Sequence, residues 1–321
     1  GVITEMKNQN LLTPLRVEIW NNNTLTNCTT TEYAKNTIGS KTVVLPTKTY
    51  TTESKKVISS ADIGFNKSFV NNIKNLTGTS SYVKQQGLYS YNDAGLLQQQ
   101  SANNISTAYI WDYKNTIPIA VATNAMPTDI AYTSFEADGT GNWTMGSTNR
   151  IGTEAFTGTQ CYDLSKGNIT KTGLNSSKTY WLNYWAKTGA SVSVTNTAET
   201  KQGVTQNNWT LWTKKITGTT NITISGTGSI DELRIHPDKS QMKSSTYTVG
   251  IGMSSQVDAN NNVTLYEYDE KGNIKTITAY NHSADDDFST SLKEVQDVLE
   301  SVEGGSLKLW TRELAQLCWI A

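Results

Sequence analysis

Two copies of one short pattern constrain the fold of this chain more than any other feature of its sequence. Tyr89-Ser-Tyr91-Asn-Asp-Ala-Gly95 and Tyr266-Glu-Tyr268-Asp-Glu-Lys-Gly272 both read Y-x-Y-(D/N)-x-x-G. Residues two apart on a strand share a face, so each copy presents two rings on one side, and Asp or Asn followed by Gly is typical of a tight turn. Degenerate copies at Tyr109 and Tyr247 lie about twenty residues away, which suits a strand-turn-strand unit. The pattern predicts a series of β-hairpins.

The rest of the sequence predicts an all-β fold up to about residue 283. Val, Ile, Thr, Tyr and Trp recur in short runs that Gly and Asn clusters interrupt, which is typical of strands joined by turns. After an acidic linker, apolar residues at helical spacing predict an amphipathic helix over 289–302, and a second short helix is expected over 307–317. The C-terminal tail is therefore expected to be helical.

The tyrosine pattern resembles that of YD-repeat (Rhs-like) proteins, which are large bacterial surface proteins whose hairpins wind into a long curved sheet. The segments 109–125 and 253–277 carry the resemblance best. The Tyr-Asp pair itself is intact only at Tyr268-Asp269, so a long regular shell is not expected. The resemblance implies an extracellular or cell-surface location.

A segment of different character, rich in Trp and Thr, interrupts this pattern between Thr128 and Pro237. Its ordered motifs, from Ser134-Phe-Glu136 to Ser229-Ile-Asp-Glu-Leu-Arg-Ile235, resemble the galactose-binding-like jelly-roll of many carbohydrate-binding modules. We therefore expect a β-sandwich jelly-roll inserted in a YD-repeat antiparallel β scaffold, with a short helical C-terminal tail. The predicted divisions are 1–127 for the N-terminal scaffold, 128–238 for the jelly-roll, 239–283 for further hairpins, and 284–321 for the linker and tail.

Aromatic residues in this segment suggest a carbohydrate-binding face. The run Tyr180-Trp-Leu-Asn-Tyr-Trp-Ala-Lys187 alternates, and matching the jelly-roll pattern assigns Tyr180, Leu182, Tyr184 and Ala186 to the core. Indole rings stack on sugar rings while polar side chains bind hydroxyl groups. The predicted ligand-binding residues are Trp181, Asn183, Trp185, Lys187 and Trp212. The alternative is that neighbouring parts of the chain cover these tryptophans.

The jelly-roll resemblance also implies a structural calcium ion. Related modules hold calcium with an acidic residue after the first Phe and an Asp on the last strand, and Glu136 and Asp231 occupy those positions. Hard oxygen ligands from distant parts of the chain would hold the two ends of the domain together.

Composition and missing motifs argue against other classes of function. The net charge of −1 offers no basic field for nucleic acid, and no apolar run reaches the length of a membrane span. Two histidines, His236 and His282, leave little room for a triad or a zinc site, and three distant cysteines form no disulfide framework. We therefore predict no enzymatic activity, no nucleic-acid partner and no membrane span.

The sequence thus predicts a non-catalytic extracellular module for glycan binding or adhesion, with a polysaccharide or cell-surface glycan as its partner. Two alternatives stay open. The chain is part of a toxin-delivery shell in which the sandwich is a spacer, or it is an accessory binding region of a glycoside hydrolase.

Overall fold

The computed structural model describes residues 1–21, 24–52, 83–152 and 154–280. The predicted acidic linker and both predicted helices lie outside these ranges, so they stay predictions. Within them the chain is almost entirely antiparallel β-structure, and the all-β prediction is confirmed. The described residues divide into two compact units, one formed by 1–130 with Lys239–Gln241 and the other by Ala131–Asp238 with 242–280. No helix in the described ranges has both the length and the apolar character that crossing a bilayer requires.

The first unit is a meander in which each strand pairs with the next. It begins with a short helix, α1 (Val2–Asn8), and includes a 3-10 turn at Pro127–Asp129. Its strands are β1 (Arg16–Asn21), β2 (Thr24–Ile38), β3 (Lys41–Thr52), β4 (Val83–Tyr91), β5 (Leu97–Ala102), β6 (Ile105–Asp112) and β7 (Ile117–Thr123).

The second unit contains a sandwich followed by hairpins. Its sandwich strands are β8 (Ala131–Thr133), β9 (Arg150–Ile151), β10 (Cys161–Asp163), β11 (Ile169–Thr172), β12 (Tyr180–Lys187), β13 (Ser191–Val194), β14 (Thr197–Gln206), β15 (Trp209–Ile216), β16 (Asn221–Thr227) and β17 (Ser229–Pro237). Single 3-10 turns lie at Ser147–Asn149 and Leu164–Lys166. The hairpin strands are β18 (Gln241–Thr248), β19 (Gly252–Val257), β20 (Val263–Tyr268) and β21 (Ile274–Tyr280), which pair in sequence order.

Two sheets face each other in the sandwich. The larger has seven strands in the order β14-β15-β12-β17-β10-β9, with β8 also paired to β17, and the smaller has the order β11-β16-β13. The core between them holds the alternate residues of β12, namely Tyr180, Leu182, Tyr184 and Ala186, with apolar residues of β16 and β17. The predicted assignment of these four residues to the core is confirmed. We call this side of β12 the inner face, and the opposite side the outer face.

The repeat pattern forms the same turn in both of its intact copies. The side chain of Asn92 accepts from the backbone N–H groups of Ala94 and Leu96, and Asp269 accepts in the same way from Lys271 and Asn273. The glycine three positions after each, Gly95 and Gly272, has φ of +76° and +77°. This left-handed conformation is strained for residues with a Cβ, so the pattern needs glycine there.

The second tyrosine of each copy ties its strand to the preceding one. The Tyr91 hydroxyl donates to the Pro46 carbonyl at 2.8 Å, and the Tyr268 hydroxyl donates to the Met253 carbonyl at 2.7 Å. A Cβ on Gly252 would lie 2.7 Å from the Tyr268 hydroxyl oxygen, which explains a small residue beside this ring. The repeat is therefore a local unit in which an acid or amide closes the turn and a phenol fixes the neighbouring strand.

Candidate functional site

Trp185, a predicted ligand residue, lies in a covered part of the outer face. It is 2% exposed, and Phe156 stacks on its ring with centroids 3.8 Å apart. Val257 and Val263 from the hairpin strands belong to the same apolar cluster, which also contains Trp209. At this position neighbouring segments of the chain cover the indole.

Two other predicted ligand residues on the outer face have partners within the protein. Asn183 is buried, and its Oδ1 accepts from the Thr213 hydroxyl at 2.8 Å. Lys187 forms an ion pair with Glu154. Trp185 and Asn183 are each 2% exposed, so Trp181 and Lys187 are the more exposed of the predicted residues on the outer face.

Trp181 lies on the outer face, beside two lysines. The ammonium groups of Lys201 and Lys215 lie 5.5 and 5.7 Å from the centroid of its ring. Cations over an indole face are attracted by its quadrupole. The half-buried Trp181 ring is therefore already engaged by cations of the neighbouring strands.

Trp212, the last predicted ligand residue, points the other way. It is half-buried at the edge of the inner face and packs against the sandwich core. Tyr184 of β12 and Gln202 of β14 are its cross-strand partners, so both share its side of the sheet. Trp212 makes no ring contact or hydrogen bond with the described part of the chain. Its neighbours Tyr184 and Gln202 likewise have no side-chain hydrogen bond to described residues.

Lys214 lies two residues after Trp212 on β15, so the two side chains share one side of the sheet. It pairs across the sheet with Leu182 and Thr200, and its ammonium group donates to the Thr200 hydroxyl at 3.3 Å. The side chain is 8% exposed, and burial lowers the pKa of its ammonium group. We call Tyr184, Thr200, Gln202, Trp212 and Lys214 the inner-edge strip.

Sequence reasoning identified only Trp212 of this strip. Tyr184 was assigned to the core, and its side chain is indeed buried there, at 2% exposed. The alternation of Trp212 and Lys214 on one strand carried the signal for the lysine, since both point to one side. Thr200 and Gln202 lie on β14, and their place beside Trp212 depends on the register between β14 and β15.

A second cluster of polar side chains surrounds the predicted calcium ligands. Asp231 accepts from the N–H groups of Phe156 and Thr157 at 2.8 and 2.9 Å. Glu136 accepts from the N–H of Thr159 at 2.7 Å and from its hydroxyl at 3.0 Å, and it also binds the N–H of Gln160. The structure therefore brings both predicted ligands to one loop, 156–160, where backbone amides occupy their oxygens.

Glu232, which the sequence did not single out for calcium, is the third acid of this cluster. Its φ of +50° marks a bulge in β17, and a bulge lets two consecutive side chains reach the same loop. Its Oε1 accepts from the Thr157 and Tyr132 hydroxyls at 2.7 and 3.1 Å, whereas its buried Oε2 has no partner. Burial raises the pKa of Glu232 to about 7, and burial with repulsion from Glu232 raises the pKa of Asp231.

These carboxylates fit a cation only in part. The orphaned Oε2 of Glu232 is the kind of oxygen that a hard cation binds. However, no group of three or more His, Cys, Asp or Glu side chains within the described ranges is arranged to hold a metal ion. The calcium ion stays a prediction, with Glu136 and Asp231 as its ligands.

The described histidine, His236, is also buried. Burial and the nearby charge of Arg234 lower the pKa of its imidazole to about 4, so the ring is neutral at pH 7. Arg234 itself donates to the carbonyls of Met242 and Asp258, at 3.3 and 2.9 Å, and to the side chain of Asn261. These hydrogen bonds connect β17 to the segment that contains the hairpin strands, so Arg234 stabilises the fold.

No protein-family model matches this chain, and the curated proteins searched contain no match to it.

Proposed function

We propose that this chain is a non-catalytic glycan-binding or adhesion module of an extracellular or cell-surface protein, and that the glycan contacts the inner-edge strip of the sandwich. The observation that carries the proposal is the half-buried indole of Trp212, which lies beside the exposed amide of Gln202 on the neighbouring strand. A ring for stacking and a few directed polar groups are what sugar recognition requires.

The strip offers these groups in a suitable arrangement. Gln202 lies beside Trp212 on β14 with its amide exposed, while the buried Tyr184 lies beside Trp212 on β12, on the core side. Both strands belong to one sheet, which gives the groups a rigid support. The repeat hairpins support the wider proposal of a YD-repeat-like scaffold, because both intact copies of the pattern form one turn with one set of hydrogen bonds.

The experiment is a glycan array probed with the full chain and three variants. Trp212→Ala removes the stacking ring, Gln202→Ala removes an exposed polar group that no fold contact requires, and Trp181→Ala is the matched control on the outer face. We expect Trp212→Ala to abolish binding and Gln202→Ala to weaken it about fivefold, as the loss of one hydrogen bond predicts. Trp181→Ala should bind as the wild type does.

Two outcomes contradict the proposal. Loss of binding in Trp181→Ala with full binding in Trp212→Ala would move the ligand to the outer face. Absence of binding by the folded wild type across glycans of all classes would refute glycan recognition itself. Circular dichroism of each variant separates loss of binding from loss of fold.

A further inference from the structure

The ammonium group of Lys214 lacks the partners that a buried cation needs. Its side chain is 8% exposed, and its one hydrogen bond, to the Thr200 hydroxyl, is 3.3 Å long. An ammonium group has three N–H donors, and burying it without an anion is unfavourable. In the described part of the chain Lys214 forms no ion pair.

Arg234 shows how the same protein treats another buried cation. Its guanidinium group is more deeply enclosed, at 1% exposed for the residue, and it has three oxygen partners, on Met242, Asp258 and Asn261. Lys214 has one partner, a neutral hydroxyl. Lys214 therefore has N–H donors that no described residue satisfies, and an acceptor on a ligand can take them.

The surroundings of Lys214 favour an anion. The other four members of the inner-edge strip are Tyr184, Thr200, Gln202 and Trp212, and none of them carries a carboxylate. The acid on the neighbouring strand, Glu199, pairs across the sheet with Lys215 and forms an ion pair with Lys201. Those three residues share the outer face with Trp181, so the acid is directed away from Lys214.

We propose, resting on the proposed function, that the glycan of the inner-edge strip is acidic, and that its anionic substituent pairs with Lys214 while a sugar ring stacks on Trp212. The anion is the carboxylate of a uronic or sialic acid, or a sulfate ester, since both present oxygens that accept from an ammonium group. Ligand binding then provides the buried cation with the partner that the chain does not.

The test measures binding of the full chain to paired oligosaccharides by calorimetry. One arm uses oligomers of uronic acids and the same oligomers after carboxyl reduction. The other arm uses a sulfated oligosaccharide and its desulfated form. We expect the acidic member of one pair to bind about tenfold or more tightly than its neutral partner, as a charge-assisted hydrogen bond predicts. The arm that shows the preference identifies the anion.

Two substitutions locate the effect. Lys214→Met keeps the length of the side chain and removes its charge, and Lys215→Met makes the same change one residue away on the outer face. Lys214→Met should bind the acidic and neutral members equally, while Lys215→Met should keep the wild-type preference.

Three results would overturn the inference, and they are distinguishable. Equal binding of acidic and neutral members by the wild type refutes the acidic ligand and leaves glycan binding intact. Equal loss of preference in both lysine variants refutes the assignment to Lys214. Absence of binding to every oligosaccharide of both arms and of the array refutes the proposed function together with the inference.

Discussion

Replacing Glu232 by Gln should change how the stability of the second unit depends on pH. Glu232 is fully enclosed beside Asp231, and its Oε2 has no hydrogen-bond partner. Burial raises the pKa of this carboxyl from 4.5 to about 7. The variant keeps the shape of the side chain and the oxygen that accepts from Thr157 and Tyr132, but it has no proton to lose in this pH range.

Whether stability rises or falls with pH depends on which state, folded or unfolded, binds the Glu232 proton more tightly. The folded protein binds the Glu232 proton more tightly than the unfolded chain, so its contribution is fully present below pH 4.5 and is lost as the pH rises through about 7. A pKa rise from 4.5 to about 7 corresponds to about 3 kcal/mol. The wild type has lost this contribution to its free energy of unfolding once the pH has risen above about 7. Relative to the wild type, Glu232→Gln should therefore gain about 3 kcal/mol between pH 4.5 and about pH 8.

His236 has the opposite effect on the wild type. Burial lowers the pKa of its imidazole from 6.5 to about 4, so its contribution is present above pH 6.5 and is lost as the pH falls through about 4. Between pH 4.5 and 6.5 the contribution of Glu232 to stability falls with rising pH while that of His236 rises. The free energy of unfolding of the wild type therefore changes less with pH than either contribution alone. The informative quantity is therefore the difference between variant and wild type at each pH.

The assay is urea unfolding followed by tryptophan fluorescence, with a chelator present, at several pH values from 4.5 to about 8. Glu267→Gln makes the same substitution at an exposed glutamate on β20 and is the matched control for the loss of a carboxylate. A flat difference for Glu232→Gln would refute the raised pKa and the reasoning that derives it from burial.

Three further predictions concern packing, turns and the metal ion. Trp185→Ala should lower the free energy of unfolding by about 3 to 5 kcal/mol in urea titrations, because it empties a buried site under Phe156; a loss below about 1 kcal/mol would contradict that packing. Gly272→Ala should cost about 1 to 2 kcal/mol by the same measurement, because φ is +77° there, and an unchanged midpoint would contradict the turn. A calcium ion at Glu136 and Asp231 predicts that excess calcium raises the thermal midpoint measured by calorimetry; identical midpoints in calcium and in chelator contradict the site.

The hairpin turns were predictable because every contact that defines them is local. Asn92 and Asp269 bind N–H groups two and four residues later, and the glycine lies within the same turn. A third turn of this kind escaped the pattern. Asp258 accepts from the N–H groups of Asn260 and Asn262, and Asn261, with φ of +66°, takes the place of glycine. Asn tolerates this conformation better than most residues, so the pattern needs Asn as well as Gly at that position.

The sequence predicts which side chains of β12 share a side of the sheet. It does not predict which segments of the chain pack on that side. Alternation alone places Trp181 and Trp185 on the side opposite Tyr184. What lies above that side depends on Phe156 and on Val257, which come from parts of the chain far away in sequence. A repeating pattern reports which residues share a side, and it contains nothing about the distant segment that packs on them.

The same packing supports our proposal that the ligand binds at the inner edge. Trp185 is enclosed, and a sugar that stacks on Trp181 would compete with the ammonium groups of Lys201 and Lys215, each of which gains about 0.5 to 1 kcal/mol from an exposed ring. Trp212 has no such contact to give up within the described part of the chain. Its neighbour Lys214 would gain a partner from the proposed anion, because its present hydrogen bond is long and burial lowers the pKa of its ammonium group. Binding at the outer face thus replaces interactions that already exist, and binding at the inner edge supplies one that is missing.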